Sequence, residues 1–213
     1  MAMNTPIIVV GGGGHAGVLI ATLLMLNRTV VGFVDPSPPK RSIFGAKYLG
    51  DDSVLRNKDR DIELVNGVGS VGLKSPRYLL FLKFRSQGFR FATVVHPSAV
   101  VAADVRIGEG AQIMATAVVQ PGTRVGANCI INTGAVIDHD CEIRPHAHIA
   151  PGAVLCGRVW IGTGAHIGAG ASVIQEIRVG PWSIVGAGAA VIRNVPAGVT
   201  ALGVPATWQK NRN

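Results

Sequence analysis

A chain of 213 residues with 48% hydrophobic and 15% charged side chains can bury a substantial core, which excludes intrinsic disorder and leaves room for one large or two small domains. The formal net charge of +8 suits an anionic ligand, but the basic residues are scattered, from Lys40 and Arg41 to Lys83 and Arg85, with no basic helix and no nucleic-acid motif. No apolar run is long enough to span a bilayer, and Met1 to Pro6 lacks a basic leader, so a cytoplasmic protein with no membrane insertion and no nucleic-acid partner is expected.

Ile7-Ile8-Val9-Val10 is a continuous apolar run, the mark of a buried parallel strand. Gly11-Gly12-Gly13-Gly14-His15-Ala16-Gly17 follows, then an apolar stretch, Val18 to Leu26, that predicts a helix. Val30 to Val34 predicts a second strand, ending at Asp35 and Pro36. Gly12, Gly14 and Gly17 satisfy G-x-G-x-x-G, with an acid about 20 residues on. Such a loop brings backbone close to a ligand and offers the N–H groups of a helix start to an anion. The α/β region ends near Ala92, too short for both halves of a dinucleotide domain, so a mononucleotide or nucleotide-sugar is the better fit. A purely structural glycine turn is the alternative.

Ser37 to Arg41 predicts a loop, and a short helix follows Gly50-Asp51-Asp52. Ile62 to Val65 predicts a third strand running into the small-residue loop Asn66 to Ser70, placed where open α/β sheets bind ligands. Ser75 caps a helix with Pro76 at its first position and Gly88 at its close. Phe89 to Val95 predicts one further strand, with His96-Pro97 as the junction.

From Val95 to Val191 every sixth residue is aliphatic, through Val101, Ile107, Ile113 and onward. A small residue mostly sits two positions earlier, as at Ala111, Ala117, Cys129, Ala135 and Cys141, and Gly often follows the aliphatic residue, as at Gly108, Gly126 and Gly162. A period of six is that of a parallel β-helix, in which three units make one triangular coil and the aliphatic side chains stack inside a prism. The run accommodates about five to six coils. The small residue avoids overfilling the prism. The glycine is expected at a turn of unusual backbone conformation. After Val191 the chain reads as an irregular, Pro-rich end, and Trp208 to Asn213 as a frayed polar terminus.

Most outward positions are bland, but Asp138-His139-Asp140 puts an imidazole between two carboxylates. A solvent-facing His beside an acid makes a general base, the acid fixing its tautomer; either Asp138 or Asp140 satisfies the spacing. His148 and His166 lie one coil apart and could stack. Cys129, Cys141 and Cys156 form no disulfide or zinc pattern.

The [Ile/Val]-Gly-x4 run resembles the left-handed β-helix of the hexapeptide acyltransferases. The hand is implied by that resemblance, since general crossover rules favour the other. The prism is shared with zinc-dependent γ-class carbonic anhydrases, but this chain lacks their acidic insertions and no metal is expected. Gly13-Gly14-His15, Phe33-Val34-Asp35, Asn132-Thr133, His139-Asp140 and Gly203-Val204-Pro205-Ala206 together make the whole chain similar to the PglD/NeuD-type bacterial sugar acetyltransferases. The resemblance implies a Rossmann-like α/β domain over residues 1–92, binding a nucleotide-sugar, and an all-β left-handed β-helix acetyltransferase domain with its tail over 93–213. It implies His139 as catalytic base and Asp140 as the acid that raises its basicity. Gly13, Gly14, His15, Asp35, Pro36, Gly69 and Asn132 would meet the nucleotide-sugar. His148, Gly168, Ala169, Gly186 and Ala187 would meet acetyl-CoA. The expected reaction is N-acetylation of the 4-amino group of a UDP- or GDP-linked amino-dideoxy sugar by a homotrimer, for a bacterial surface glycan. A sugar O-acetyltransferase of the same fold and a non-catalytic nucleotide-sugar scaffold are the alternatives.

Overall fold

A computed structural model describes residues 5–58, 61–69 and 75–210. The order begins β1 (Ile7–Val10), α1 (Gly14–Met25), β2 (Val30–Val34), a 3-10 helix (Asp52–Asn57), β3 (Glu63–Asn66), α2 (Pro76–Ser86) and β4 (Arg90–Phe91). The four strands form one parallel sheet in the order β2-β1-β3-β4. Alternate residues of β1 serve two layers. Ile7 and Val9 pack with Leu19, Ile20 and Leu23 of α1, and Ile8 and Val10 pack with Phe81 and Phe84 of α2. Burial on both faces is why β1 is apolar without alternation.

Three boundaries differ from the sequence reading. Helix α1 starts four residues before Val18, capped by an extended Gly13, so Gly14 and His15 lie in its first turn. The third strand runs one residue later than expected. The predicted strand Phe89 to Val95 is two: Arg90–Phe91 closes the α/β sheet and Val94–Val95 opens the prism. Helix α2 is as read, with the Ser75 hydroxyl accepting from Arg77 N–H at 3.3 Å and Gly88 in the left-handed region at φ 86°.

Beyond Thr93 the chain is a left-handed β-helix of about six turns. Two-residue strands repeat on three faces. The first face carries Val94–Val95, Gln112–Ile113, Ile130–Ile131, His148–Ile149, His166–Ile167 and Ile184–Val185. The second carries Val100–Val101 through Ala190–Val191, and the third Arg106–Ile107 through Arg178–Val179. Each strand pairs in parallel with the strand one coil on, as in His148↔His166. The second residue of each pair points inward, and Ile113, Ile131, Ile149 and Ile167 are all fully buried. Burying each contributes about 1.5–3 kcal/mol. The small slot is filled as expected, with Ala111, Cys129, Ala135 and Cys141 at 0–1% exposure.

The glycine expectation is corrected. Gly108 and Gly126 are not in the left-handed region; a Cβ there would press into the next coil, 2.6 Å from Ala127 N and 2.5 Å from Pro145 N. The left-handed residue comes two positions later, at Gly110, Asn128, Asp140 and His146. The tail is also more regular than the sequence suggests. Val199–Leu202 adds to the first face beside Ile184–Val185, with Ala201 fully buried, and Thr207–Lys210 returns antiparallel to it. Trp208 is therefore part of a strand that packs on the end of the prism core; residues 211–213 lie outside the described residues.

Candidate active site

The glycine loop stands at the carboxyl ends of β1 and β2. Gly12 N–H donates to Asp35 Oδ2 at 2.8 Å, and Asp35 Oδ1 accepts from Ser37 N–H at 3.1 Å, so this carboxylate braces the loop. A Cβ on Gly12 would sit 2.9 Å from the Phe33 ring, which explains that glycine. Gly13 and Gly14 are exposed, with open space where a Cβ would be. Two hollows flank the loop. One of about 440 Å³ has apolar walls from Val34, Val68 and Leu80, with Asp35, Pro36, Asp51 and Asp52 around them. The other, about 380 Å³, joins Gly13 and Gly14 to Lys40 and Arg41. Gly69 is exposed nearby on the β3 loop; Ser70 lies outside the described residues.

His15 turns from the loop toward the prism. Its Nε2 meets Gln112 Oε1 at 2.8 Å, and Gln112 Nε2 donates to Asn66 O at 2.9 Å. Arg77 is buried nearby, donating to Asn66 O at 2.7 Å, Val68 O at 2.9 Å and Asn128 O at 3.3 Å. His146 Nδ1 meets Asn128 Nδ2 at 3.0 Å, and its ring packs edge-on to Tyr78 and Phe81. This junction fixes the β3 loop against the prism. The sequence places Asn66 in the small-residue loop but points to no role for Gln112, Arg77 or Asn128; the available signal was a Gln on a face whose neighbours Val94 and Ile130 are apolar. Burial pushes the pKa of His15 down to about 4, only partly offset by its bond to Gln112, and pushes that of His146 to about 4. Both imidazoles are neutral at pH 7.

His139 and Asp140 occupy the edge between the second and third faces. His139 Nδ1 meets Asp140 Oδ2 at 2.8 Å, while Asp138 Oδ1 accepts from the His139 backbone N–H at 2.8 Å. Asp140, at φ 57°, therefore orients the ring, and Asp138 orders the turn. The two side chains are 51% and 59% exposed, leaving Nε2 available to a substrate. Cys141, next in sequence, points inward with Sγ on Cys156 O at 3.2 Å, and burial pushes its thiol up to about 11. That rules it out as an attacking thiolate at neutral pH.

The remaining candidates lie on the first face and the edge that follows it. His148 Nε2 meets Asn132 Nδ2 at 3.1 Å, and the His148 ring packs edge-on to that of His166 with ring centroids 4.9 Å apart. Gly168 is packed against the next coil, while Ala169 and Ala187 are exposed at the turns; at Gly186 a Cβ would strike Leu202. No cluster of metal-ligating side chains occurs among the described residues.

A single chain does not bring all these groups together. The α/β region covers the first face, through Val94, Gln112 and Ile130, and the edge between third and first faces, through Asn128 and His146. In a triangular coil, the edge bearing His139 and Asp140 is the one opposite the first face. The dyad is thus a full prism width from the glycine loop and His148 of its own chain.

The chain matches two family models: "PglD N-terminal domain" over residues 6–76, and "Bacterial transferase hexapeptide (six repeats)" over 104–139 and 122–157. No curated protein matches it by sequence. Among solved structures, a histidine-to-asparagine mutant of perosamine N-acetyltransferase from Caulobacter crescentus, in complex with CoA and GDP-perosamine, is 38% identical over 97% of each chain, with a TM-score of 0.89. The acetyltransferase domain of PglB from Neisseria gonorrhoeae FA1090 is 32% identical over 96% of this chain and 100% of that one, with a TM-score of 0.89. WeeI from Acinetobacter baumannii AYE is 25% identical over 95% and 99%, at a TM-score of 0.80. With both halves matched and this identity over nearly the full length, the chain belongs to the PglD-type sugar acetyltransferases of the hexapeptide-repeat family.

Proposed function

We propose that the protein transfers the acetyl group of acetyl-CoA to the 4-amino group of a nucleotide-linked amino-dideoxy sugar, as a cytoplasmic homotrimer whose active sites are shared between protomers. The observation that carries this reading is the solvent-exposed His139–Asp140 couple on a prism edge that borders an apolar face. The second face presents Val100, Val118, Val136, Val154, Ser172 and Ala190 outward, five of the six apolar, with Val100 63% and Val154 37% exposed. The third face presents Arg106, Arg124, Glu142 and Arg178 instead, with Trp160 the one apolar member of the row. Three second faces meeting about a threefold axis would bury the valines and leave the charges in water. That packing brings the dyad edge of one protomer beside the first-second edge of its neighbour, with that neighbour's Asn132, His148 and glycine loop. Relatives solved with CoA and GDP-perosamine, and with acetyl-CoA, supply the ligand classes.

In this arrangement the diphosphate lies at Gly13 and Gly14, on the N–H groups that open α1, with Lys40 and Arg41 adding positive charge. The neutral amine attacks the thioester carbonyl directly. His139 Nε2 takes the amine proton as the C–N bond forms, and Asp140 holds Nδ1–H and stabilises the imidazolium. The tetrahedral intermediate expels the CoA thiolate, to which the imidazolium returns the proton. No acyl-enzyme is formed, and acetyl-CoA is consumed as co-substrate.

The test has two arms. His139→Ala should lower turnover by roughly 10²–10⁴-fold with the oligomer intact. Gly14→Asp, which places a negative charge at the diphosphate position, should abolish sugar-nucleotide binding. Equal mixing of the two variants into common trimers should restore about a quarter of wild-type activity, because one site in four combines an intact loop with an intact dyad. Unchanged turnover in His139→Ala removes the base assignment, and no recovery on mixing removes the shared site. A product cleaved by hydroxylamine would mark an ester and replace N-acetylation with O-acetylation.

A further inference from the structure

The geometry points to Gly157 as a positioning residue for the His139 imidazole, an inference that rests on His139 as the base. Gly157 sits one coil after His139 on the same edge, in the column Ala103, Pro121, His139, Gly157, Gln175. Its backbone is not in the left-handed region, so the turn itself does not call for glycine. Ala, Pro and Gln occupy equivalent turn positions. Only the space above Gly157 is special. A Cβ there would lie 2.6 Å from Nε2 and 2.7 Å from Cε1 of His139, and 3.3 Å from Cδ2. The imidazole lies across this glycine, which is buried although the ring above it is half exposed.

The backbone beneath the ring cannot yield. Arg158 N–H donates to His139 O at 2.9 Å, and Glu176 N–H donates to Gly157 O at 3.0 Å, so the coil is pinned on both sides. The ring is held between two constraints: Asp140 grips Nδ1 at 2.8 Å, and the bare Gly157 backbone supports the opposite edge. Together they aim Nε2 along the prism edge toward the later coils, where Ala169 and Ala187 stand exposed on the adjoining protomer in the proposed trimer. An alanine side chain at 157 would have to push the ring edge outward by about 0.8 Å to reach ordinary contact. Solvent lies on the far side, so the ring can move without unfolding the coil, but it then leaves its line with Asp140.

The experiment is a double-mutant cycle of Gly157→Ala and His139→Ala, with kcat, KM for both substrates and melting temperature measured on each purified variant. Gly157→Ala should lower kcat by about 10–100-fold, since a misplacement approaching 1 Å costs on that order, while both KM values stay within about twofold and the melting temperature within about 3 °C. In the His139→Ala background the same change should have no further effect on kcat, because there is no ring left to displace. Should Gly157→Ala alone fail to fold, the double variant should fold and melt like His139→Ala. Wild-type kcat in Gly157→Ala overturns the inference, as does an equal loss in the His139→Ala background, or a double variant that remains unfolded. Failure of the base assignment reads out separately, as unchanged kcat in His139→Ala itself.

Discussion

Acid should loosen the junction between the α/β region and the prism, with the loss beginning about two pH units above the ordinary carboxylate range. The perturbation is a drop in pH from 7.5 to 4.5. His15 has its pKa held near 4, chiefly by burial, against an ordinary 6.5; His146 is held near 4 by burial and then by the Arg77 guanidinium. Because both folded values lie below the unfolded one, the unfolded chain binds more protons between pH 6.5 and 4. The stabilisation is therefore complete above about pH 6.5 and is lost progressively as pH falls toward 4. For His15 the fall corresponds to roughly 3 kcal/mol. For His146, which water screens more, roughly half of that is reasonable. The sum, about 4–5 kcal/mol, translates to roughly 10–20 °C in a chain of this size. Thermal melts followed by circular dichroism at pH 7.5, 6.5, 5.5 and 4.5, at constant ionic strength, would show it. A His15→Asn, His146→Asn variant should melt lower at pH 7.5 but lose at most a third as much on acidification. Equal pH slopes for the variant and the wild type would refute the reasoning.

Two glycine classes should separate cleanly in urea unfolding. Gly108→Ala drives a Cβ into the backbone of the following coil and should cost more than about 3 kcal/mol. Gly152→Ala meets nothing within 4 Å and carries only the left-handed penalty at φ 67°, about 1–2 kcal/mol; similar costs for the two would sink the distinction. Iodoacetamide at pH 8 should give one adduct on the folded protein by mass spectrometry. Burial holds the Cys129 thiol up at about 12 and the Cys141 thiol at about 11, leaving the half-buried Cys156 to react; a second adduct would contradict that packing.

What could be read from the sequence was whatever repeats. An interior slot recurring every six residues specifies the prism, and one full coil of 18 residues places His166 beside His148 before any coordinates are known. Asp35 could be located for the same kind of reason, since it ends the second strand of a βαβ unit. The choice between Asp138 and Asp140 could not be read. Both flank His139 symmetrically in sequence, and only the left-handed backbone of residue 140 swings its carboxylate to Nδ1 while residue 138 bonds the turn. The glycines after the inward residues are visible in the sequence but their cause is not, because close approach of the next coil is a contact 18 residues away. The junction was least legible. His15, Asn66, Arg77, Gln112 and Asn128 come from two helices, two strands and a turn, and no local pattern couples them.

The same geometry gives a reason for the proposed chemistry to sit on an edge. Inside the prism each side chain is fixed by six-residue packing, and on a face it is fixed by strand pairing one coil above and below. An edge residue is freed from both, since its side chain leaves a turn whose backbone already carries a coil-to-coil hydrogen bond, as Asp140 N–H does to Pro121 O at 2.9 Å. His139 and Asp140 can therefore be oriented by each other and by the empty space at Gly157 without disturbing Ile137 or Ile143, which are buried on either side. The buried junction has the opposite character. Arg77, His15 and His146 are held where a single lost partner strands several others. In the proposed reaction, binding of the nucleotide-sugar would depend on the rigid part, and proton transfer on the independently set part. Variants at the junction should accordingly move stability together with KM, whereas variants on the dyad edge move kcat alone.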